Sequence, residues 1–207
     1  ELLFEEGREV LKPSANIRQS AESLRPRRTA GRMVLIGGPG QGKTTVGQFT
    51  CQLLRAALLK VTCANYSPEV AQALARIEQQ SMELPKTHAR RYPLRVDLKR
   101  LAEALAGEGE FAANSLLDYL VRHISKRTDS ILSKSEFRTW LQSYPWLLVL
   151  DGLDEVPASS NRTKMMVAIR DFVSVEAHQQ DADLLILATT RPQGYSDEFD
   201  PGRYWHL

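Results

Sequence analysis

The sequence is poor in cysteine, and it contains no long apolar run and no large excess of either charge. Its two cysteines, Cys51 and Cys63, are a weak basis for a disulfide framework and show no metal-ligand spacing, which suits a reducing cytoplasm. The longest apolar runs, such as Trp146–Leu150 and Leu184–Ala188, are far shorter than the ~20 residues that span a bilayer. The sequence therefore predicts a cytoplasmic protein without a transmembrane segment, and it shows no secretory signal.

The charge of the chain is balanced, with 27 basic and 25 acidic residues and a formal net charge of +2. Such a chain has no strong field to attract nucleic acid or an anionic membrane surface. Direct nucleic-acid binding is therefore the least supported class of function.

A length of 207 residues suits one α/β domain with its own core. Residues 1–29 are interpreted as a lead-in segment and residues 30–207 as the domain. The chain begins at Glu1 rather than Met and ends at Leu207 within an apolar segment, so we expect it to be a piece of a longer protein.

The stretch from Met33 to Cys51 has the pattern of a buried strand, a glycine-rich loop and a helix. Met33–Ile36 is a short apolar run with β-branched residues, as in a strand covered on both faces. Gly37–Thr44 then matches the GxxxxGK[ST] nucleotide-binding pattern at every fixed position. A helix predicted over 44–59 directs the positive end of its dipole at the same site. A chance glycine-rich turn is the alternative, and the flanking strand and helix argue against it.

Each fixed residue of this loop has a role in binding phosphate. Glycines let the backbone turn so that successive N–H groups point at the phosphates. Lys43 brings an ammonium group to the β- and γ-phosphate oxygens, and the Thr44 hydroxyl can ligate the Mg²⁺ that bridges them. The residues expected to bind the nucleotide are Gly37, Gly38, Pro39, Gly40, Gln41, Gly42, Lys43, Thr44 and Thr45.

A second motif, WLLVLDGLDEVP, occupies Trp146–Pro157. Apolar residues ending in Asp151 predict a buried central strand that delivers one carboxylate beside the phosphate loop, where it can hold Mg²⁺. Gly152 leaves room beside the metal. Glu155 is the first candidate for the general base or water-orienting group, and Asp154 is the second. A solvated turn after the strand is the alternative, which the phosphate loop makes less attractive.

The apolar run that begins at Leu184 ends in a third cluster of polar residues. The sequence Thr189-Thr190-Arg191 predicts hydroxyl groups and a guanidinium at the end of a buried strand. Arg191 could reach a γ-phosphate there and distinguish a triphosphate from a diphosphate. The alternative is a surface arginine at a strand end.

Hydrophobic periodicity predicts the remaining elements. Strands are predicted at about 33–37, 92–97, 147–151, 184–189 and 203–207, with Pro93 indicating an edge position for the second. Helices are predicted over 44–59, 68–82, 98–106, 111–124, 134–142 and 161–178, and an exposed loop over 83–91. The apolar stripe of the first helix, expected in the core, is Val46, Phe49, Thr50, Leu53, Leu54, Ala57 and Leu58.

A small basic cluster precedes the first strand and consists of Arg25, Arg27, Arg28 and Arg32. It is either a solvated approach segment or a contact to the base or ribose of the nucleotide.

Three motifs together resemble the NACHT domain, a branch of the signal-transduction (STAND) P-loop ATPases. They are GGPGQGKTT, LVLDGLDEVP and LATTRP. The most distinctive is the second, in which a small residue follows Asp151 and two acids stand three and four positions after it. The branch includes Nod-like receptors and bacterial anti-phage defence proteins, and the present chain is most similar to the latter.

The resemblance implies a P-loop three-layer α/β fold whose five-stranded parallel sheet has the order 5-1-4-3-2. It assigns Lys43 to the β/γ-phosphates, Thr44 and Asp151 to Mg²⁺, and Arg191 to the γ-phosphate sensor. Asp154 and Glu155 become the catalytic acidic pair. Family members continue into helical and winged-helix domains that are absent from these residues, so the fragment could turn over slowly or bind weakly.

The leading hypothesis is an ATP-hydrolysing switch, ADP-bound at rest, that self-associates with ATP and activates an effector in an immune response. A nucleotide-dependent oligomerisation scaffold with little hydrolysis is the alternative. A GTPase is disfavoured because the chain contains no Asn-Lys-x-Asp guanine-binding motif.

Overall fold

The computed structural model describes residues 31–62, 65–80, 91–108 and 112–207. The lead-in at 1–29 lies outside these residues, as do Cys63 and positions 83–90 of the predicted loop. Of the basic cluster, only Arg32 is described. The strands within these ranges are β1 Arg32–Ile36, β2 Tyr92–Asp97, β3 Trp146–Asp151, β4 Leu184–Thr190 and β5 Trp205–His206.

Helices connect these strands. They are α1 Lys43–Thr62, α2 Pro68–Gln80, α3 Leu98–Leu105, α4 Leu116–Thr128, α5 Lys134–Ser143, α6 Ser160–Asp171 and the short α7 Ala177–Gln179. A 3₁₀ turn spans Leu153–Glu155 and a π-helical turn spans Phe172–Glu176.

The strands form one five-stranded parallel sheet in the order β2-β3-β4-β1-β5. The predicted order 5-1-4-3-2 and the α/β fold class are therefore confirmed. The edge position that Pro93 indicated for β2 is confirmed as well. Because all strands are parallel, their carboxyl ends meet at one edge of the sheet, which is where ligands bind in open α/β folds.

The core lies on both faces of the sheet. All six residues of β3 are buried, as expected for a central parallel strand. On one face α1 packs through Cys51 and Leu54 against Leu147 and Val149. This packing is close, since a Cβ added to Gly47 of α1 would lie 3.0 Å from Val149 Cγ1. The other face carries the larger apolar cluster, to which α3 to α6 contribute.

Some predicted details are wrong. Val46 and Phe49 are 45% and 41% exposed, because the inward stripe of α1 passes through Gly47, Thr50, Cys51 and Leu54 instead. The helix predicted from 111 begins at Leu116, where Ser115 caps it by accepting a hydrogen bond from the Asp118 amide. The helix predicted over 161–178 is interrupted by the π-helical turn, whose Phe172 and Val173 are buried.

Arg91 also contradicts the predicted exposed loop, of which it is the last residue. It is only 1% exposed, and its Nη1 lies 2.8 Å from Asp183 Oδ1 and 3.1 Å from the Trp146 carbonyl oxygen. The ion pair and the carbonyl offset part of the cost of burying this guanidinium.

Across the described ranges, every helix is too short or too polar to cross a lipid bilayer.

Candidate functional site

The phosphate loop connects β1 to α1 at the carboxyl edge of the sheet. Gly40 and Gly42 have φ values of 73° and 75°, a conformation that favours glycine, and a Cβ added at either would meet no atom of the described residues within 4 Å. The Lys43 ammonium donates to the carbonyl oxygens of Gly37 and Gly38, the latter at 2.9 Å. Gln41 Oε1 accepts from the Gly38 amide at 2.7 Å. The loop therefore holds its lysine and glutamine side chains against its own backbone.

The first turn of α1 offers free hydrogen-bond donors. The Val46 amide donates to the Gly42 carbonyl oxygen at 2.8 Å, whereas the amides of Lys43, Thr44 and Thr45 bond to no residue that the structure describes. Such amides at a helix N-terminus, with the positive end of the helix dipole behind them, form an anion-binding site. The loop residues present therefore fit a phosphate group.

Thr44, Asp151 and Thr189 meet behind this loop. Asp151 Oδ1 accepts a hydrogen bond from Thr189 Oγ1 at 2.6 Å and one from Thr44 Oγ1 at 3.1 Å. Thr189 Oγ1 in turn accepts from the Gly152 amide at 2.9 Å. Residues of α1 and β4 thus orient the carboxylate at the end of β3, whose side chain is 4% exposed.

The chemistry of these groups fits Mg²⁺. A hydroxyl and a carboxylate oxygen 3.1 Å apart are hard oxygen donors of the kind that Mg²⁺ takes from a protein when nucleotide phosphates and water supply the rest. Among the described residues there is no group of three His, Cys, Asp or Glu side chains that could hold a metal alone. These residues would therefore hold Mg²⁺ together with a nucleotide.

Arg95 is a site residue that the sequence did not reveal. Its Nη2 and Nε donate to Asp151 Oδ2 at 2.6 Å and 3.1 Å. The only signal available in the sequence was the alternation of side chains along the strand predicted at 92–97, which places Arg95 and Asp97 on one face. That alternation does not say which residue of β3 stands opposite. The contribution of Thr189 was foreseen only as a hydroxyl at a strand end.

The two further acids lie on the 3₁₀ turn after β3. Asp154 Oδ2 is 2.7 Å from Arg191 Nε, and the side chain of Asp154 is 12% exposed against 44% for Arg191. Glu155 is exposed. Gly152, whose φ is 81°, allows the chain to turn at this point, and a Cβ there would lie 3.3 Å from Glu155 Cδ.

A cavity of about 260 Å³ brings most of the predicted residues together. Its walls include Lys43, Thr44, Asp154, Glu155 and Arg191, together with Thr189 and Gly152. The loop residues in its lining are Pro39, Gly40, Gln41, Gly42 and Thr45. Gly37, Gly38 and Asp151 do not line it, and they contribute through their contacts to Lys43 and Thr44 instead.

Arg162 of α6 connects the two loops that carry the acids and Arg191. Its side chain is 9% exposed. It donates to the Val156 carbonyl oxygen at 3.2 Å and to the Gly194 carbonyl oxygen at 2.9 Å, and it forms an ion pair with Glu198. The guanidinium therefore links the loop after β3 to the loop after β4. Sequence reasoning did not identify this residue.

Cys51 lies on α1 near Arg95 and is a free, buried cysteine. Burial raises the pKa of its thiol, although the neighbouring Arg55 and Arg95 act in the opposite direction. A protonated thiol in this position behaves as a small apolar side chain, in agreement with the prediction from the sequence.

The residues that form this site lie within the range of the chain that matches a known protein family. A family model described as the ATPase family associated with various cellular activities (AAA) matches residues 33–203. A search of curated proteins found no match. The matched range begins in β1 and contains the phosphate loop, the acids after β3 and Arg191. Nucleotide binding and ATP hydrolysis are the activities of that family, and the resemblance to P-loop ATPases is confirmed at this level. The chain belongs to the AAA family of ATPases.

Proposed function

We propose that residues 30–207 form the nucleotide switch of a NACHT-type signalling ATPase that binds ATP with Mg²⁺, hydrolyses it slowly and self-associates in the ATP-bound state. The observation that carries the proposal is the convergence of Lys43, Thr44, Asp154, Glu155 and Arg191 on one 260 Å³ cavity with Asp151 behind it. The acids at the third and fourth positions after Asp151, following Gly152, favour the NACHT branch within the wider class of P-loop ATPases.

The binding step uses the loop. The free amides of the first turn of α1 receive the phosphate oxygens, and Lys43 exchanges its carbonyl partners for β- and γ-phosphate oxygens. Thr44 and Asp151 would hold Mg²⁺, which would neutralise negative charge on the phosphates.

The hydrolytic step uses the carboxylates. Glu155 orients a water molecule and takes its proton as the water oxygen bonds to the γ-phosphorus. The bond from the γ-phosphorus to the β–γ bridging oxygen breaks, and that oxygen leaves with ADP. Arg191 donates to the γ-phosphate oxygens through its Nη groups, while its Nε stays paired with Asp154. Asp154 therefore positions the Arg191 guanidinium beside the cavity.

Substitutions in the full chain test this proposal. Lys43→Ala should weaken ATP binding at least tenfold, measured by calorimetry. Glu155→Gln should leave ATP binding within about threefold and lower phosphate release by about 10²-fold or more. Lys99→Ala and Glu103→Gln, which alter exposed residues of α3 outside the cavity, are the matched controls. Binding that is indifferent to Lys43→Ala would refute the site.

A separate experiment tests the switch. The Glu155→Gln variant of the full chain is used because it should keep ATP intact. Its molar mass, measured by light scattering after gel filtration, should be larger with ATP than with ADP. Equal masses in both nucleotides would exclude ATP-dependent self-association.

Two outcomes would favour the alternative functions. Phosphate release by the wild type that is no faster than that of Glu155→Gln would favour the scaffold with little hydrolysis. Tighter binding of GTP than of ATP would favour a GTPase.

A further inference from the structure

The position of Arg95 follows from strand register. In the parallel pair of β2 and β3, Arg95 lies opposite Val149 and Asp97 lies opposite Asp151. Side chains alternate along a strand, so Arg95 and Asp151 share one face of the sheet as diagonal neighbours, within reach of a long side chain. Val149 of the same face packs on α1, so the pair lies on the α1 side of the sheet.

Arg95 donates two hydrogen bonds to one carboxylate oxygen of Asp151. Both Nη2 and Nε of Arg95 donate to Oδ2, while Thr44 and Thr189 donate to Oδ1. In the described part of the chain, Arg95 is the ion-pair partner of Asp151, whose side chain is 4% exposed. Burying a carboxylate to this extent costs less free energy when a cation lies against it, and Arg95 supplies that cation.

Arg95 also has room to move. Its side chain is 32% exposed, and it lines a second cavity of about 390 Å³ between α1, β2 and α4. Arg55 and Arg127 line the same cavity, and its described lining contains no Asp or Glu. Like charges in this cavity oppose the movement of Arg95 into it, so Arg95 stays on Asp151 until another cation takes its place.

We propose that Arg95 is a positioning residue that acts as the internal counter-cation of Asp151 and competes with the Mg²⁺ of the nucleotide for that carboxylate. The inference rests on the proposed function, in which Asp151 helps to hold Mg²⁺. Two cations that neutralise one buried carboxylate are coupled negatively, so removing one strengthens the effect of the other. Arg95 therefore weakens the dependence of nucleotide binding on Mg²⁺.

The experiment measures the affinity of the full chain for ADP by calorimetry, once with Mg²⁺ and once with EDTA. The quantity of interest is the ratio of the two dissociation constants, EDTA over Mg²⁺. Arg95→Gln should raise this ratio about tenfold above the wild type. Arg95→Lys, which keeps the charge and loses the second donor, should give an intermediate ratio. Arg100→Gln is the matched control, because Arg100 is 71% exposed and pairs with Asp97.

A purely structural role of Arg95 would weaken ADP binding equally with and without Mg²⁺. A ratio for Arg95→Gln that is equal to or below the wild-type ratio would thus overturn the inference. If Arg95→Gln does not fold, Arg95→Lys decides by the same criterion.

Asp151→Asn separates this inference from the proposed function. With the carboxylate neutral, the ratio should fall toward one, and adding Arg95→Gln should not change it further. If Asp151→Asn keeps the wild-type ratio, the metal role of Asp151 in the proposed function fails. If Asp151→Asn abolishes the Mg²⁺ effect while Arg95→Gln leaves it unchanged, only the inference about Arg95 fails.

Discussion

Arg191 Nε lies 2.7 Å from Asp154 Oδ2, so the loop that follows β4 and the turn that follows β3 are joined by an ion pair in the wall of the cavity beside the phosphate loop. The pair joins the predicted γ-phosphate sensor to one of the two predicted catalytic acids. With 44% of the Arg191 side chain exposed, the pair contributes little to stability, and its importance lies in where it holds the guanidinium.

Replacing Arg191 should therefore impair hydrolysis more than binding. We expect Arg191→Ala to lower the rate of ATP hydrolysis by about 10²-fold, because a charged donor to the γ-phosphate is lost from the transition state. The affinity for ADP, which has no γ-phosphate, should change less than about threefold. Phosphate release and ADP calorimetry measure the two effects. Arg122→Gln, which removes an ion pair with Asp118 outside the cavity, should alter neither. Hydrolysis within twofold of the wild type would exclude this role.

Gly152 and Gly107 provide a matched pair of substitutions. Both have positive φ values, 81° and 82°, so an alanine at either should cost about 1 kcal/mol of unfolding free energy. At Gly152 the added Cβ meets a site residue, Glu155 Cδ at 3.3 Å, while at Gly107 it meets nothing within 4 Å in the part of the chain that the structure describes. We expect Gly152→Ala to reduce ATP hydrolysis about tenfold and Gly107→Ala to leave it unchanged. Urea unfolding and phosphate release are the measurements, and equal rates for the two variants would contradict the prediction.

Arg162 should matter both for stability and for the site. Arg162→Met removes the donor to two carbonyl oxygens and leaves Glu198 without its ion-pair partner, at a cost of about 3 kcal/mol in urea unfolding. Because Arg162 links the loops that carry Glu155 and Arg191, the rate of ATP hydrolysis should fall as well. Arg138→Met is the control. Its ion pair with Glu176 is 38% exposed on the arginine side, and its loss should cost below about 1 kcal/mol. Equal costs for the two variants would refute the structural role of Arg162.

The ion pair of Arg138 and Glu176 predicts a specific pH dependence. Two hydrogen bonds from the Arg138 guanidinium hold the pKa of the Glu176 carboxyl below its ordinary value of 4.5. A group whose pKa is lower in the folded than in the unfolded state stabilises the fold above the unfolded pKa, and this stability is lost as pH falls through the folded pKa. Glu176→Gln should therefore lower the unfolding free energy at pH 7, by below about 1 kcal/mol, and have a smaller effect at about pH 2.5. Urea unfolding at both pH values tests this. A larger loss of unfolding free energy at the acidic pH than at pH 7 would contradict the prediction.

Features that depend on short stretches of chain were predictable. The phosphate loop, the apolar strand that ends in Asp151 and the strand that ends in Arg191 each combine hydrophobic patterning with a fixed spacing of polar residues, and each lies where it was expected. Helix stripes were less reliable. Val46 and Phe49 repeat at the helical period, yet they are exposed, because the close approach of Gly47 to Val149 determines which side of α1 faces the sheet.

The amino-acid order alone was enough to establish the class of fold, the strand order through family resemblance, and the residue types of a nucleotide site, because these depend on local spacing and on the period of apolar residues. The partners of Arg95, Arg162 and Arg191 could be known only from the folded chain. Each guanidinium contacts a group on another strand or loop. Strand register and loop packing decide which carboxylate or carbonyl comes within about 3 Å of such a donor, and neither leaves a signal in short stretches of sequence.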